Sequence, residues 1–357
     1  MSINIGNNTV KKIYKGDRLI LSTILNPVGN FAAIMEGMGF DASGISGMYN
    51  GLDPIIKEKA IKVLLPVGGS PGVLYGIDNK TGEIVPFAFE RSSVATLFDN
   101  TDNLVQVGND IPRVDFLNYT DRAKILIEKD ATNLATGTDL SNHESINQWT
   151  AYGTPVISQQ LNKYFEFKYG GSGNFVAART GNIIELIQNV PYQLSAQIQN
   201  IANSNVIDYV YMIRSGNTNI RLPYGPGVSA NEHFNNWQVA YTDPDGFINA
   251  SLLFGKTWGN NGDTCFRFRY MQFEQGAEKT SFIPTVDIPV TRSADLLSVV
   301  LDNSCSVYLE TTKQKIVLDK PSGIWSIHND LDNEGIYALA IFGNVLTAED
   351  KQQLLNL

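Results

Sequence analysis

One short stretch, residues 68–72, has the residue types of a nucleophilic serine site. It reads Gly-Gly-Ser-Pro-Gly after an apolar run, which matches the G-x-S-x-G pattern of a hydrolase elbow. In such an elbow the residue after the serine donates its backbone N–H to the oxyanion. Here that residue is Pro71, which has no N–H. The stretch therefore predicts a Gly/Pro turn rather than an acyl-transfer site.

The metal-ligating residue types are widely spaced. The three histidines, His143, His233 and His328, match no metal-binding spacing. The acidic loop 330–335 resembles the start of a calcium loop, but Ile341 stands where the bidentate glutamate is needed. We therefore predict no cofactor and leave the metal content unknown, with a structural Ca²⁺ at strand ends as an open alternative.

Thiol and carboxylate chemistry is equally sparse. The two cysteines, Cys265 and Cys305, are too few for a disulfide framework or a four-thiolate zinc site, although a single bridge between them stays open. A glycosidase needs two carboxyl groups about 5–9 Å apart in a cleft, and the sequence singles out no such pair. We therefore predict that the chain is not an enzyme, with a polysaccharide depolymerase as the least favoured alternative.

Aromatic residues offer the clearest binding chemistry. A flat ring can stack on the apolar C–H face of a sugar while nearby Asn, Asp and Gln side chains bind its hydroxyls. Five aromatic residues stand at or near loop-like segments: Trp149, Tyr224, Trp237, Tyr241 and Trp258. We predict that they bind carbohydrate; the competing interpretation is that they are partly buried core residues. Affinity per site would be roughly millimolar, so many copies would be needed.

The composition excludes several classes of partner. The chain has 357 residues, of which 43% are hydrophobic and only 18% charged, and asparagine outnumbers lysine and arginine together. The net charge of −9 argues against nucleic acid as a partner, because phosphate binding needs a clustered basic face. The sequence contains no run of about 18 apolar residues and no secretory-leader pattern, so we expect no membrane insertion.

Short alternating runs separated by turn residues position these side chains. Residues 10–25 predict a hairpin that turns at 16–17, and residues 72–89 predict another that turns at 78–82. Between 112 and 295 strand-like runs recur every 8–15 residues or so, with Gly-, Asn- and Pro-rich turns between them. The pattern predicts an all-β fold, a jelly-roll β-sandwich with a β-rich region before it.

Other patterns occur near the two ends of the chain. The Gly-rich stretch 30–53 predicts an irregular loop, and residues 55–64 fit either a short helix or a strand. Residues 305–319 predict a C-terminal hairpin, and residues 346–357 predict an amphipathic helix with Thr347 as its N-cap.

Two blocks of the sequence carry a resemblance to a known family. The front block follows the patterns R-x-S-x-A-T-x-F, N-x-x-P-R-x-D-Y, L-L-L-E and T-N-L at residues 91–98, 109–116, 125–128 and 132–134. The rear block follows Q-x-E-x-G-x-x-x-T-S-Y-I-P-T and V-T-R-x-A-D at residues 272–285 and 290–295. Together they resemble phage virion proteins of the tail-fibre, tail-tip or head-fibre type that carry a carbohydrate-binding-module-like jelly roll. Phe116 and Phe282 stand where that family usually has Tyr.

The resemblance implies a structural protein of a bacteriophage particle, assembled in the host cytoplasm and located in the virion. It implies an N-terminal virion-attachment and oligomerisation region at 1–87, the jelly roll at 88–295 and a C-terminal β block with a helix at 296–357. The resemblance itself implies no ligand. We expect host-surface glycan or neighbouring virion proteins as partners, and a pure assembly or adaptor protein without glycan binding is the alternative. We also expect a homotrimer, because exposed sheet edges in the N-terminal region need a symmetric partner.

Overall fold

The computed structural model consists mainly of antiparallel β-strands, so the prediction of an all-β fold is confirmed. None of the helices in the described part of the chain is long and apolar enough to cross a membrane. The structure describes residues 2–5, 8–15, 18–24, 27–40, 44–98, 104–115, 123–152, 156–161, 163–169, 176–180, 184–200, 210–215, 218–221, 235–242, 250–256 and 264–356.

The elements follow one another along the chain with short connections. The first strands are β1 (Ser2–Ile5), β2 (Asn8–Lys15), β3 (Arg18–Ile24), β4 (Ala60–Ser70), β5 (Val73–Asp78), β6 (Ile84–Glu90), β7 (Ala95–Phe98), β8 (Leu104–Val107), β9 (Val114–Asp115) and β10 (Lys124–Ile127). The middle strands are β11 (Ala131–Asn133), β12 (Trp149–Tyr152), β13 (Val156–Gln160), β14 (Tyr164–Tyr169), β15 (Val176–Thr180), β16 (Pro191–Asn200), β17 (Val210–Ser215), β18 (Thr218–Arg221), β19 (Asn235–Thr242), β20 (Ala250–Lys256), β21 (Thr264–Gln275) and β22 (Val290–Arg292). The last strands are β23 (Leu296–Leu301), β24 (Cys305–Thr311), β25 (Lys315–Lys320), β26 (Gly323–Ser326) and β27 (Glu334–Phe342). The α-helices are α1 (Pro27–Gly37), α2 (Ile45–Asn50), α3 (Pro54–Lys59) and α4 (Ala348–Leu355), and 3-10 turns span His143–Gln148 and Ile327–Asp330.

The chain forms two compact units, and the second is an insertion in the sequence of the first. Unit 1 comprises residues 1–129 and 293–357, and unit 2 comprises residues 130–292. These bounds differ from the three regions drawn from the sequence, since residues 88–129 fold with unit 1. The C-terminal strands also share a sheet with N-terminal ones, as β27 pairs with β4 and β23 pairs with β6. Pairing between such distant segments leaves no mark in a local sequence pattern.

Unit 1 is built on a ten-stranded sheet with an apolar core on each face. Successive residues of β4 divide between the two cores, with Val63 and Leu65 in one and Leu64 in the other, as strand alternation requires. The first core packs under α1, α2 and α3. The prediction of an irregular loop at 30–53 is therefore wrong. The apolar side chains of Phe31, Met35 and other residues are buried against the sheet, and this burial outweighs the poor helix propensity of glycine.

The local signals in unit 1 are largely confirmed. The predicted hairpins appear as β2–β3, β5–β6 and β24–β25, and the ambiguous stretch 55–64 divides into α3 and the start of β4. Gly82 in the second turn has φ +73°, and a Cβ there would lie 2.0 Å from the Pro27 carbonyl oxygen, so the turn needs glycine. The predicted cap of α4 is also present, because Thr347 accepts a hydrogen bond from the Asp350 N–H.

Unit 2 contains two five-stranded antiparallel sheets. The first has the order β12-β15-β20-β17-β18, and the second has the order β13-β14-β21-β16-β19. Strands β14 to β17 alternate between the sheets along the chain, and so do β18 to β21, which is the connection pattern of a jelly roll. The core residues of the second sheet come from alternate positions of β14, β16 and β21. The other positions of those strands form its outer face.

Candidate functional site

Trp149 is a core residue of unit 2, so its assignment to a sugar-binding platform is wrong. Its ring centroid lies 5.9 Å from that of Phe165 and 5.0 Å from that of Phe268, and only 7% of the residue is exposed. Its indole Nε1–H donates to the Gly137 carbonyl oxygen at 2.9 Å. Gly137 has φ +73°, and a Cβ there would meet the Ser145 carbonyl oxygen at 2.6 Å. Trp149 thus links the sheets and satisfies its polar atom internally.

The other predicted aromatic residues remain untested as ligand contacts. Tyr224 and Trp258 lie outside the described residues. Trp237 and Tyr241 belong to β19, where the backbone is described and the side chains are not. The strand register pairs Trp237 with Ala196 and Tyr241 with Tyr192.

The outer face of the second sheet carries a group of polar side chains that the sequence prediction missed. The register aligns Ser158 of β13, Glu166 of β14, Arg267 of β21 and Gln199 of β16 across four neighbouring strands. We call this line of four residues the polar row. Directly opposed residues of antiparallel strands lie side by side on one face, so the row presents hydroxyl, carboxylate, guanidinium and amide groups together.

The guanidinium of Arg267 is the best-anchored group of the polar row. Its Nε donates to Glu166 Oε2 at 2.8 Å, and its central carbon lies 4.2 Å from the ring centroid of Tyr164. The ion pair and the ring contact together fix the plane of the guanidinium. The side chain is still 29% exposed, so the group is held in place and open to solvent.

Glu166 is kept ionised by its neighbours. Burial alone would raise the pKa of this carboxyl, but hydrogen bonds and charge from Lys168 and Arg267 outweigh it, and the pKa lies below its ordinary value. Lys168 Nζ lies 2.6 Å from Glu166 Oε1. A carboxylate occupied on both oxygens is suited to orienting cations rather than to proton transfer.

A β-bulge extends the polar face beside the row. Gln197 of β16 pairs with Arg269 of β21, whereas Ser195 pairs with Gln272, so β21 has one extra residue at this point. Tyr270 lies in the bulge with φ +54°. Arg269 lies two residues after Arg267 and so on the same outer face, where its Nε donates to Gln197 Oε1 at 2.7 Å. The extra residue then changes the alternation of β21, so that Gln272 and Glu274 lie on the outer face and Met271 and Phe273 lie in the core.

The rear sequence block covers one end of this face. Glu274 accepts hydrogen bonds from the Thr280 N–H at 2.9 Å, from the Thr280 hydroxyl at 2.7 Å and from Gln272 Nε2 at 2.7 Å. Gln272 Oε1 accepts from the Ile283 N–H at 2.6 Å. All of these polar groups are buried. The Gln, Glu and Thr residues that the resemblance picked out therefore fasten a segment over the sheet and do not face a ligand.

Charged residues of the front block and Asp295 of the rear block form a buried ion cluster in unit 1. Asp295 pairs with Arg91 at 3.0 Å and with Arg113, and Arg113 Nη2 also lies 2.7 Å from Glu128. Glu128 and Asp295 bond each other through the backbone, because the Asp295 N–H donates to the Glu128 carbonyl oxygen at 2.8 Å. These two residues flank the insertion point of unit 2 in the sequence of unit 1. The cluster holds the two chain ends of that insertion together.

The candidate metal ligands do not converge in the described part of the chain, where no group of three or more His, Cys, Asp or Glu residues could hold an ion. In the acidic loop, Asp330 pairs with Lys320 at 2.7 Å and Asp332 pairs with Lys129 at 2.6 Å. Among the histidines, His143 is exposed, His328 contacts the Leu297 carbonyl oxygen and His233 lies outside the described residues.

Cys305 is a free, buried thiol in unit 1. It lines a cavity of about 240 Å³, and burial raises the pKa of the thiol. The bridge to Cys265 that the sequence left open is therefore absent. A buried cysteine of this kind behaves as a small apolar residue.

Comparisons with known proteins give weak similarity. Neither the family models nor the curated proteins match this sequence. Among solved structures, the baseplate tripod of bacteriophage Tuc2009 is 12% identical, with 66% of this chain and 97% of that one covered and a TM-score of 0.34. A CBM22 xylan-binding domain of Paenibacillus barcinonensis Xyn10C is 12% identical over 45% of this chain and all of that one, with a TM-score of 0.30. The enzymatically active domain of tailspike protein 4 from bacteriophage CBA120 is 16% identical, covering 40% and 21% of the two chains, with a TM-score of 0.30. These scores are too low to carry an argument about this chain's ligand or partners.

Proposed function

We propose that this protein is a non-enzymatic structural component of a bacteriophage particle, in the tail or in a head or tail fibre, and that unit 2 binds glycan on the host surface. The polar row on the outer sheet face of unit 2 carries the glycan part of the proposal. The virion part is supported by the resemblance of the front and rear sequence blocks to phage virion proteins.

The polar row offers the groups that sugar recognition uses. Amide, guanidinium and carboxylate groups donate to and accept from hydroxyls, and an aromatic ring supports the apolar face of a sugar. Gln199 and Arg267 supply donors, Glu166 orients Arg267, and Tyr164 lies beside them. One shallow face of this kind binds at roughly millimolar affinity, so adsorption would depend on many copies in the particle.

An assembly or adaptor role without glycan binding is the second candidate. It is favoured by one observation: the residues that match the virion family, including Arg113, Asp295 and Glu274, are buried and make structural contacts. Those residues specify how the chain folds and leave the ligand unspecified. In this alternative the partners are neighbouring virion proteins alone.

Turnover of a polysaccharide is disfavoured by the state of the carboxylates near the face. Glu166 is paired with two cations, and Glu274 is fully buried under hydrogen bonds from Thr280 and Gln272. Neither carboxyl is available as the free general acid that glycoside hydrolysis requires. We therefore propose adhesion rather than catalysis.

A homotrimer is part of the proposal. The three-stranded sheet β1-β2-β3 has β1 and β3 at its edges, and strand edges without a partner invite pairing with other chains. Symmetric assembly covers such edges and multiplies the glycan faces.

The test measures the binding of particles, or of the purified full chain, to polysaccharide from the host surface. We expect the double variant Arg267→Ala/Gln199→Ala to lose binding while assembly, seen by electron microscopy, stays intact. Lys80→Gln is the control, because Lys80 is exposed in a turn of unit 1. Retained adsorption in the double variant would favour the adaptor role, and release of reducing sugar by the wild-type chain would overturn the non-enzymatic assignment.

A further inference from the structure

We infer that the glycan bound at the polar row is an acidic saccharide, whose carboxylate or phosphate oxyanion pairs with the terminal nitrogens of Arg267. This inference rests on the proposed glycan-binding function and names the ligand class of that same face.

The first step concerns the free edge of the guanidinium. The Nε of Arg267 is used by Glu166, and the ring of Tyr164 lies against the guanidinium plane. In the described part of the chain the two terminal nitrogens of Arg267 make no hydrogen bond. The side chain is therefore fixed on one edge and on one face, and 29% of it remains exposed. A planar group held in this way loses little side-chain entropy when it binds.

The second step concerns the charge of the sheet. Strands β13, β16 and β19 contain no charged residue at all. Among the described residues on the strands of this sheet, the cations are Lys168, Arg267 and Arg269 and the accessible carboxylate is Glu166, while Glu274 is buried beneath the rear block. A cationic patch in a chain with a net charge of −9 is a local departure from the overall composition. It attracts an anion and disfavours a cationic ligand.

The third step concerns the shape of the ligand group. The two terminal nitrogens of a guanidinium form a fork that matches the paired oxygens of a carboxylate or a phosphate. A neutral hydroxyl would satisfy one of these nitrogens only. Hydrogen bonds between charged groups are about twice as strong as neutral ones, so the oxyanion is the preferred partner.

The experiment compares matched acidic and neutral saccharides with the full chain. One arm uses an α-1,4-linked galacturonate hexamer against its methyl ester, and the other uses phosphomannan against dephosphorylated mannan. In at least one arm, we expect the acidic form to bind at least about tenfold more tightly than its neutral counterpart. The arm that shows the preference identifies carboxylate or phosphate as the oxyanion. The preference should weaken as salt is raised from about 0.05 to 0.5 M.

Two substitutions of Arg267 distinguish the effect of the bidentate guanidinium geometry from the effect of positive charge alone. Arg267→Gln should remove the acidic preference, and Arg267→Lys should keep the salt dependence but lose most of the preference, because an ammonium is a point charge without the fork. Lys80→Gln, which changes net charge equally, should behave as wild type. Circular dichroism checks that each variant folds.

The outcomes distinguish this inference from the function on which it rests. Equal or tighter binding of the neutral forms would overturn the acidic assignment and leave glycan binding in place. An acidic preference that persists in Arg267→Gln would overturn the role of Arg267. Failure of every saccharide to bind, neutral forms included, would count against the proposed glycan-binding function itself.

Discussion

Replacement of Asp295 by asparagine is the sharpest test of the ion cluster in unit 1. The Asp295 side chain is fully buried and pairs with Arg91 at 3.0 Å and with Arg113, and Oδ2 also accepts from the Glu128 N–H at 3.0 Å. Asparagine keeps the size of the side chain but removes the negative charge. The buried guanidinium groups of Arg91 and Arg113 then both lose the carboxylate charge of Asp295.

The expected loss is large for a single isosteric change. Breaking a buried ion pair by removing one partner costs about 3–5 kcal/mol, because the remaining charge stays desolvated. Each kcal/mol lowers the melting temperature of a unit of about 150–250 residues by about 2–4 °C. We therefore expect Asp295→Asn to lower the melting transition of unit 1 by about 6–20 °C.

The assay is differential scanning calorimetry of the full chain, with hydrogen exchange to assign the loss to unit 1. Asp302→Asn is the matched control: Asp302 lies 3.4 Å from Lys62 and is 70% exposed, so this variant should lose under about 0.5 kcal/mol. A loss below about 1 kcal/mol in Asp295→Asn, or equal losses in the two variants, would refute the claim that the buried cluster holds the insertion point together.

Three further outcomes are expected. Ser195→Ala should raise the free energy of unfolding by about 1 kcal/mol in urea titrations, because the buried Ser195 hydroxyl has no hydrogen-bond partner among the described residues; a loss of similar size would contradict this. Lys351 and Ser306 hold the pKa of Asp319 below its ordinary value. Ionised Asp319 therefore contributes to the free energy of unfolding at pH values above its ordinary pKa, and this contribution is lost as the pH falls through the folded-state pKa. Asp319→Asn should flatten this acid dependence, and an unchanged profile would count against it. Mass photometry at micromolar concentration should show trimers, whereas a population of monomers alone would sink the trimer proposal.

Local chemistry made the hairpins predictable. Turns such as 78–82 need residues that tolerate positive φ, and Gly82 occupies such a position in the structure. The cap of α4 was predictable for a similar reason, since Thr347 and Asp350 are neighbours in sequence. In each case the interacting residues lie within a few positions of one another.

Long-range pairing was not predictable in the same way. The sequence favoured Trp149 as a surface residue, but its environment depends on Phe165 and Phe268 of the other sheet. It also gave no sign that α1 would form, because the burial of Phe31 depends on the sheet beneath it.

The candidate site was missed because its residues are ordinary in isolation. Arg267 and Glu166 belong to different strands and meet only through the register of β14 and β21. The signal that could have found them is the alternation of polar residues in β14, β16 and β21, such as Arg267 and Arg269 in β21. The bulge at Tyr270 breaks that alternation, and a bulge position is set by the fold and not by period-two patterning.

A crystal structure of the full chain with the saccharide that binds most tightly tests the central claim most directly. The account predicts an intact sugar lying across Ser158, Arg267 and Gln199, with its acidic group on the terminal nitrogens of Arg267. A sugar bound on another surface, or one found cleaved, would contradict it.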